Sequence, residues 1–225
     1  MEQFFESVGQ WFTGIFAKFS EFGTGALITV FALVALAVVL MLITGKRNTF
    51  TARGIAYGAI SIALSFVLSF IRLFRMPNGG SITPASMLPL LIYAAAYGTR
   101  PGIACGMAYG VLQFIQGGEM FHPVEFILDF LLAFAFLGLA GIRFPKKWQV
   151  WGILCAMACG ILGRCLCATL AGYFVWGETL WASFIYNISY LGPDGAICLL
   201  LAVPLAPRLI KMMRSGEMMR SAGGK

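Results

Sequence analysis

The sequence predicts an all-α integral membrane protein. Of its 225 residues, 60% are hydrophobic and only 11% are charged, and the apolar residues occur in long runs. A soluble chain needs about 25% charged residues to cover its surface, whereas a membrane-spanning helix needs a run of about 20 apolar residues. The composition therefore excludes a soluble domain of this length.

Two helices are predicted in the first 50 residues. Residues 2–19 place their phenylalanines roughly on one helical face, as an amphipathic helix at a membrane surface does. A disordered tail is the alternative for this segment. Residues 25–45 form an uninterrupted apolar run, which predicts a transmembrane helix.

Six further spans follow. They are predicted at 54–74, 84–98, 101–116, 124–141, 150–172 and 183–210. The second and third of these are short and bounded by glycine and proline, which is typical of tilted or broken helices beside a substrate site. The last residues, 211–225, are polar, basic and rich in glycine, and they predict a disordered tail.

Charge is distributed unevenly across the predicted spans. If the N-terminus lies outside, most of the 16 Lys and Arg residues fall on inside segments, as the positive-inside rule requires. The C-terminus is then cytoplasmic. This asymmetry explains the net charge of +7 without a nucleic acid, and the basic inner rim also suits anionic membrane lipid.

The acidic residues lie mainly on the predicted outer side. Glu119, Glu125, Asp129, Glu178 and Asp194 all fall in outer loops or in the outer halves of spans. An acidic mouth concentrates cations from outside. For Glu119 and Glu178, a solvated outer surface is an equally good explanation.

Asp129 is too deep in its span for a surface residue. It lies about six residues from the outer end, roughly 9 Å at 1.5 Å per residue, among apolar neighbours. A carboxylate there is costly unless it is paired or functional. Glu125 shares its helical face, and Arg164 reaches a similar depth. An ion pair of Arg164 with either carboxylate would lock two helices, yet it leaves one negative charge that favours a cationic ligand.

Aromatic and amide groups occur at the same outer level. Trp176, Trp181, Tyr186 and Asn187 surround the start of the last span. An Asn offers the paired donor and acceptor that a pyrimidine edge demands, and a Trp attracts cations and stacks on flat rings. With Asp129, they predict a site for a flat, cationic heteroaromatic solute. Alone, the aromatic residues also suit an interfacial belt.

Motifs for catalysis and for metal binding are missing. The sequence has no phosphate loop of the form GxxxxGK(S/T) and no HExxH motif. Its single histidine, His122, precedes Pro123 at a helix start, where capping is the expected role. The six cysteines fall in apolar runs and are predicted to pack. The sequence therefore predicts neither an enzyme nor a metal or cofactor site.

Small residues recur at helical spacing in the first core span. Ala59 and Ala63 lie one turn apart and let another helix approach closely. Such a face serves either internal packing or docking to a partner membrane protein.

Five blocks of the sequence occur in the order of a known transporter family. They are GGSITPASMLPLL (79–91), YGVLQFIQG (109–117), HPVEFILDFLLAFAFLGLAG (122–141), GRCLCATLAGYFVWG (163–177) and YNISY (186–190). These blocks resemble the thiamine-specific S components, the ThiT family, of energy-coupling factor (ECF) transporters. The resemblance covers about residues 54–200. It implies a six-helix S-component core at 51–210, with residues 1–50 and their additional N-terminal transmembrane helix outside that core.

The resemblance also implies a function and partners. Such proteins lie in the plasma membrane of prokaryotes, bind thiamine near the outer face and dock on a transmembrane coupling protein driven by two ATPase subunits. The family's carboxylate, tryptophan and asparagine match Asp129, Trp176 and Asn187, and its docking pair matches Ala59 and Ala63. A stand-alone secondary transporter of a cationic heteroaromatic solute is the alternative.

Other ligand positions depart from the family pattern. Ala168 replaces a histidine, Phe130 and Glu119 replace tyrosines, and Ala182, next to Trp181, stands where another tyrosine is expected. Without the hydrogen-bonding groups of this histidine and these tyrosines, the site is expected to discriminate differently between ligands. Thiamine is therefore the first candidate ligand, and a thiamine precursor or analogue is the second.

The full candidate site combines these residues with a loop. The predicted substrate-binding residues are Asp129, Asn187, Trp176, Glu125, Glu119, Trp181, Tyr186 and Phe130. Gly79, Gly80 and Ser81 form a candidate lid at the outer face, since glycine permits hinge motion. A plain turn is the alternative for this loop.

Overall fold

A computed structural model describes residues 51–76, 80–117, 123–142 and 149–222. Of the predicted span 25–45, it describes only six residues, all of them helical and exposed: 28, 31, 32, 34, 35 and 39. The predicted amphipathic helix at 2–19 lies outside the described residues, as do Gly79, Glu119 and His122.

Six helices form the core of the described chain, and they confirm an all-α membrane fold. They are α1 (Ala52–Phe70), α2 (Leu88–Tyr97), α3 (Thr99–Gly117), α4 (Pro123–Gly141), α5 (Gln149–Val175) and α6 (Leu180–Ala222). Four of the six, α1, α4, α5 and α6, are long and apolar enough to cross a membrane. Every residue of the 10-residue α2 except Pro89 is buried, so this short helix lies at the centre of the core.

A short β-hairpin joins α1 to α2, and the hydrophobic pattern does not reveal it. β1 (Phe74–Arg75) pairs antiparallel with β2 (Ser81–Ile82). The apolar run continues to residue 74, but α1 already ends at Phe70, and the chain becomes extended at Ile71. Strands of two residues are too short for an alternating pattern to show.

The backbone of α4 is irregular where it carries its carboxylates. An α-helical start (Pro123–Glu125) passes into a π-helical segment (Phe126–Leu132) and ends in a 3-10 helix (Leu137–Gly141). Single π-helical turns inside α-helices are frequent at functional sites. Asp129 lies within the π-helical segment. The irregular backbone is therefore in α4, not in the two short spans for which the sequence predicts a broken helix.

A row of glycines brings α3 against the backbone of α4. A Cβ atom added at Gly106 would collide with the carbonyl oxygen of Phe134, and one added at Gly110 with that of Phe130. Glycine at every fourth position lets two membrane helices approach closely. The contact fixes the π-helical segment, and with it Asp129, against α3.

The buried face of α1 is made of small residues. It consists of Gly54, Gly58, Ser61, Ser65 and Ser69. The rings of Tyr93 and Tyr97 from α2 lie directly over its two glycines. Ala59 and Ala63 lie on the other side of the helix and are exposed. Within the described chain, internal packing therefore uses the glycine and serine face and leaves the alanine pair uncovered.

Candidate binding cavity

A cavity of about 620 Å³ lies between α3, α4, α5 and α6 and is bordered by the β-hairpin. It falls within the range of about 300–1,000 Å³ that is usual for small-molecule sites. Most of the residues that the sequence predicts for the site line it, namely Asp129, Asn187, Trp176, Glu125, Tyr186, Phe130, Arg164, Gly80 and Ser81.

Trp181 is not brought to this cavity. Its ring is 70% exposed and stacks on Phe184, with 6.0 Å between the ring centroids. The inward face of α6 follows the helical period through Ser183, Asn187 and Tyr190, all buried, and this period turns position 181 outward.

Asn187 is held rigidly at the cavity wall. Its side chain is 5% exposed, its Nδ2 donates to the Ser183 carbonyl oxygen at 2.9 Å, and its Oδ1 accepts from the Tyr190 hydroxyl at 2.8 Å. The Ser183 hydroxyl donates to the Thr169 carbonyl oxygen at 2.8 Å and so ties α6 to α5. Nδ2 also donates to the Ser183 hydroxyl at 3.4 Å, so of the amide's two donor hydrogens and two acceptor lone pairs, one Oδ1 lone pair remains for a ligand.

Asp129 faces the cavity without a hydrogen bond or ion pair to any other residue that the structure describes. Arg164 forms no ion pair with Asp129 or Glu125 in the described chain, so the pair suggested by the sequence is not found. Instead, the guanidinium carbon lies 4.2 Å from the centroid of the Phe134 ring, in a cation–π contact. The charge of Arg164 still acts on Asp129, but without a direct pair the carboxylate can accept a cation that enters the cavity.

The charged groups that line the cavity leave it formally negative. Glu125, Asp129 and Glu178 face the guanidinium groups of Arg72 and Arg164. Three carboxylates against two guanidinium groups leave an excess that attracts cations. No cluster of three or more His, Cys, Asp or Glu suited to a metal ion occurs in the described ranges.

Trp176 stands at the rim of the cavity. α5 ends at Val175, and Gly177 takes the left-handed conformation, with φ of 65°, that commonly ends a helix. The indole is half exposed and lines the cavity. A flat ring entering the cavity would meet this face first.

A second, smaller chamber of about 50 Å³ lies beside the cavity and is almost wholly polar. Asp194 borders it, is 3% exposed and accepts from the Thr83 hydroxyl at 3.0 Å, while Ser86 Oγ lies 2.8 Å from Thr83 Oγ1. The sequence places Asp194 only among the acidic residues of the predicted outer side and does not predict its buried hydrogen bonds. The Pro193–Asp194 pair inside an apolar run was a usable signal, because a buried carboxylate must find partners.

The β-hairpin is attached to α6 at the cavity's edge. The backbone N–H of Gly80 donates to the Tyr186 hydroxyl at 3.2 Å. A Cβ atom at Gly80 would lie 2.8 Å from the Tyr190 ring, so only glycine allows this close approach. Together with the bond from Thr83 to Asp194, the hairpin and the loop after it are fixed to α6 at two points.

Comparison with known proteins gives consistent matches. A family described as thiamine transporter protein (Thia_YuaJ) matches residues 55–214. Thiamine transporter ThiT of Bacillus subtilis (strain 168) is 29% identical over 177 residues, which cover 68% of this chain and 91% of that protein. A solved structure of ThiT from Listeria monocytogenes is 24% identical, with a TM-score of 0.54 over 70% of this chain and 92% of that chain. This structural likeness supports the all-helical membrane fold.

Proposed function

The chain belongs to the thiamine transporter family, and on this premise we propose that it is the substrate-binding S component of an ECF-type importer. It captures thiamine at the outer face of a prokaryotic plasma membrane and delivers it inward with ATP hydrolysed by partner subunits. The observation that carries the proposal is the unpaired carboxylate of Asp129 in a membrane-embedded cavity.

Thiamine matches the cavity group by group. It consists of an aminopyrimidine ring and a thiazolium ring with a fixed positive charge. The thiazolium neutralises Asp129, the amide of Asn187 reads the aminopyrimidine edge, and Trp176 stacks on a ring at the rim. Glu125 and Glu178 add to the negative field that draws the cation in.

Because two hydrogen-bonding side chains of the family are replaced by apolar ones, recognition of the ligand depends more on charge. Ala168 and Phe130 line the cavity at positions where the family offers an imidazole and a phenol. Neither side chain can donate or accept a hydrogen bond. Asp129 therefore accounts for a larger share of the affinity than it would in a site rich in hydroxyl groups.

A ligand series tests this assignment. The neutral half of thiamine, 4-amino-5-hydroxymethyl-2-methylpyrimidine, should bind at least about 30-fold more weakly than thiamine, because a buried charge left without its partner costs about 2–5 kcal/mol. Pyrithiamine, which keeps a ring cation, is the matched control and should bind within about tenfold of thiamine. Calorimetric titration of the purified protein measures all three. Equal affinity for thiamine and the neutral pyrimidine would make a precursor the ligand and remove the role of Asp129.

Partner docking is assigned to α1. Ala59 and Ala63 are exposed on one side of this helix, beside the large exposed apolar side chains of Ile55 and Ile60. Small residues framed by apolar ones suit close contact with another membrane helix, and we assign that helix to the transmembrane coupling protein. Since the sequence has no phosphate loop, two ATPase subunits supply the energy.

The β-hairpin serves as the lid of the cavity. Gly80 and Ser81 line the cavity, and Tyr186 holds the hairpin through a single neutral hydrogen bond. One such bond contributes about 0.5–1.5 kcal/mol, so opening requires breaking it and separating Met76 and Ile82 from the cluster around Tyr190 and Leu191, while the bond between Thr83 and Asp194 keeps the following loop in place.

A further inference from the structure

Two glutamines on α3 connect the cavity to α1. Gln113 and Gln116 both line the cavity. Gln116 Oε1 accepts from the Ser69 hydroxyl of α1 at 2.8 Å. Gln113 Nε2 donates to the Tyr109 hydroxyl at 2.7 Å, and this hydroxyl donates to the Ser65 backbone carbonyl of α1 at 3.3 Å. A ligand that orders either glutamine therefore acts on α1 through one or two hydrogen bonds.

α1 is held in a way that permits it to shift. Its fully buried residues are glycines and serines only, and its larger side chains Tyr57, Ile62 and Phe66 pack against the core while partly exposed. Burial of apolar surface is the main force that fixes a helix in place. A smooth face of small residues can rotate or slide slightly without opening a large cavity.

The interface between α1 and α3 also has more than one way to pair its polar groups. The buried atoms Ser65 Oγ and Gln116 Nε2 have no hydrogen-bond partner in the described chain. Turning the Gln116 amide over only exchanges which of its terminal atoms is unpaired. The Ser69 hydroxyl has one hydrogen but two acceptors, the Phe66 carbonyl at 2.6 Å and Gln116 Oε1 at 2.8 Å. Buried unpaired groups are costly, so a small shift of α1 that gives these groups partners would not lose existing pairs at this interface.

Tyr109 is the buried, tightly packed residue in this chain of hydrogen bonds. Its side chain is 1% exposed, and its ring meets Phe134 edge to face at 4.9 Å between centroids. It lines the small polar chamber beside the main cavity but not the main cavity itself, and Gln113 links its hydroxyl to the cavity wall. We propose that Tyr109 is a positioning residue that couples occupation of the cavity to the position of α1. This inference rests on the proposed function for the identity of the ligand and for the role of Ala59 and Ala63, which the same helix carries on its exposed side.

Hydrogen–deuterium exchange of the purified full-length protein tests the coupling. Saturating thiamine should slow exchange of the amides in residues 64–70 by about fivefold, the effect of strengthening roughly one hydrogen bond. Tyr109→Phe should still bind thiamine within about threefold of wild type but lose this slowing. Tyr93→Phe is the matched control, because its ring also packs on α1 but lies away from the cavity. This variant should keep the slowing.

Each outcome decides for or against the coupling. Wild-type protein that binds thiamine without slowing α1 overturns it, as does slowing that persists in Tyr109→Phe. A loss of affinity beyond about tenfold in Tyr109→Phe makes Tyr109 a ligand contact and overturns its positioning role. If that variant does not fold, Gln113→Met takes its place, since it removes the hydrogen bond to Tyr109, and unchanged slowing there at saturating thiamine contradicts the inference. Wild-type protein that binds no thiamine in a prior titration marks a failure of the proposed function instead.

Discussion

Replacing Asp129 with asparagine should weaken thiamine binding by about 30-fold or more. The substitution keeps the shape of the side chain but removes the charge that faces the thiazolium, and leaving a buried charge unpartnered costs about 2–5 kcal/mol. The affinity is measured by titrating purified protein with thiamine. The melting temperature of the ligand-free protein should stay the same or rise, because Asp129 has no partner to lose among the described residues.

Glu178→Gln is the control for this substitution. Glu178 lines the same cavity but lies in the turn after α5, beside the half-exposed Trp176, whereas Asp129 lies within α4, and a solvent-screened charge contributes about 0–1 kcal/mol. Its affinity should fall by less than about fivefold. Tight thiamine binding by Asp129→Asn would show that the carboxylate has no role in recognition. A large drop in its melting temperature would instead indicate a structural ion pair.

Replacing both Ala59 and Ala63 with leucine should abolish thiamine import while leaving thiamine affinity unchanged within about twofold. Both side chains are exposed on α1, so the added bulk disturbs neither the core nor the cavity, but it prevents a close helix–helix contact. Uptake of labelled thiamine by cells and co-purification of the coupling protein and ATPase subunits from native membranes measure the two effects.

Ala182→Leu provides the matched control, since this alanine is exposed on α6 and does not line the cavity. It should retain both uptake and partner subunits. A double leucine variant that imports thiamine normally contradicts the docking role of α1. Import by wild-type protein without any co-purifying ATPase subunit would favour a stand-alone secondary transporter.

The four long helices α1, α4, α5 and α6 could be predicted from the sequence because a bilayer demands apolar runs of a fixed length. The end of α6 could not, since the helix continues to Ala222, into the segment 211–225 for which the sequence predicts a disordered tail. The hairpin at 74–82 could not, since its strands of two residues fall below any detectable period. The glycine row at 102, 106 and 110 was readable as a close-packing face. The π-helical segment around Asp129 was not readable, because it depends on how α4 packs against α3.

Site residues could be predicted where a polar residue interrupts an apolar run. Asp129 and Asn187 are polar groups in apolar runs, and the cost of burying them points to function without any knowledge of neighbours. Ion pairs were harder to predict, because two residues at a similar depth in the membrane can still lie on different sides of their helices. Arg164 therefore meets the Phe134 ring instead of a carboxylate. The outward direction of Trp181 follows from the helical period of α6, whose buried face runs through Ser183, Asn187 and Tyr190.

The most direct test of the central claim is a titration of purified wild-type protein with thiamine, followed by intrinsic tryptophan fluorescence. Trp176 lines the cavity, so a bound thiazolium or pyrimidine ring should quench its emission. We expect saturable quenching that is complete at micromolar thiamine, with one ligand bound per chain, and largely lost in Trp176→Phe. An absence of quenching and of calorimetric binding at micromolar thiamine would contradict the assignment of thiamine to this cavity.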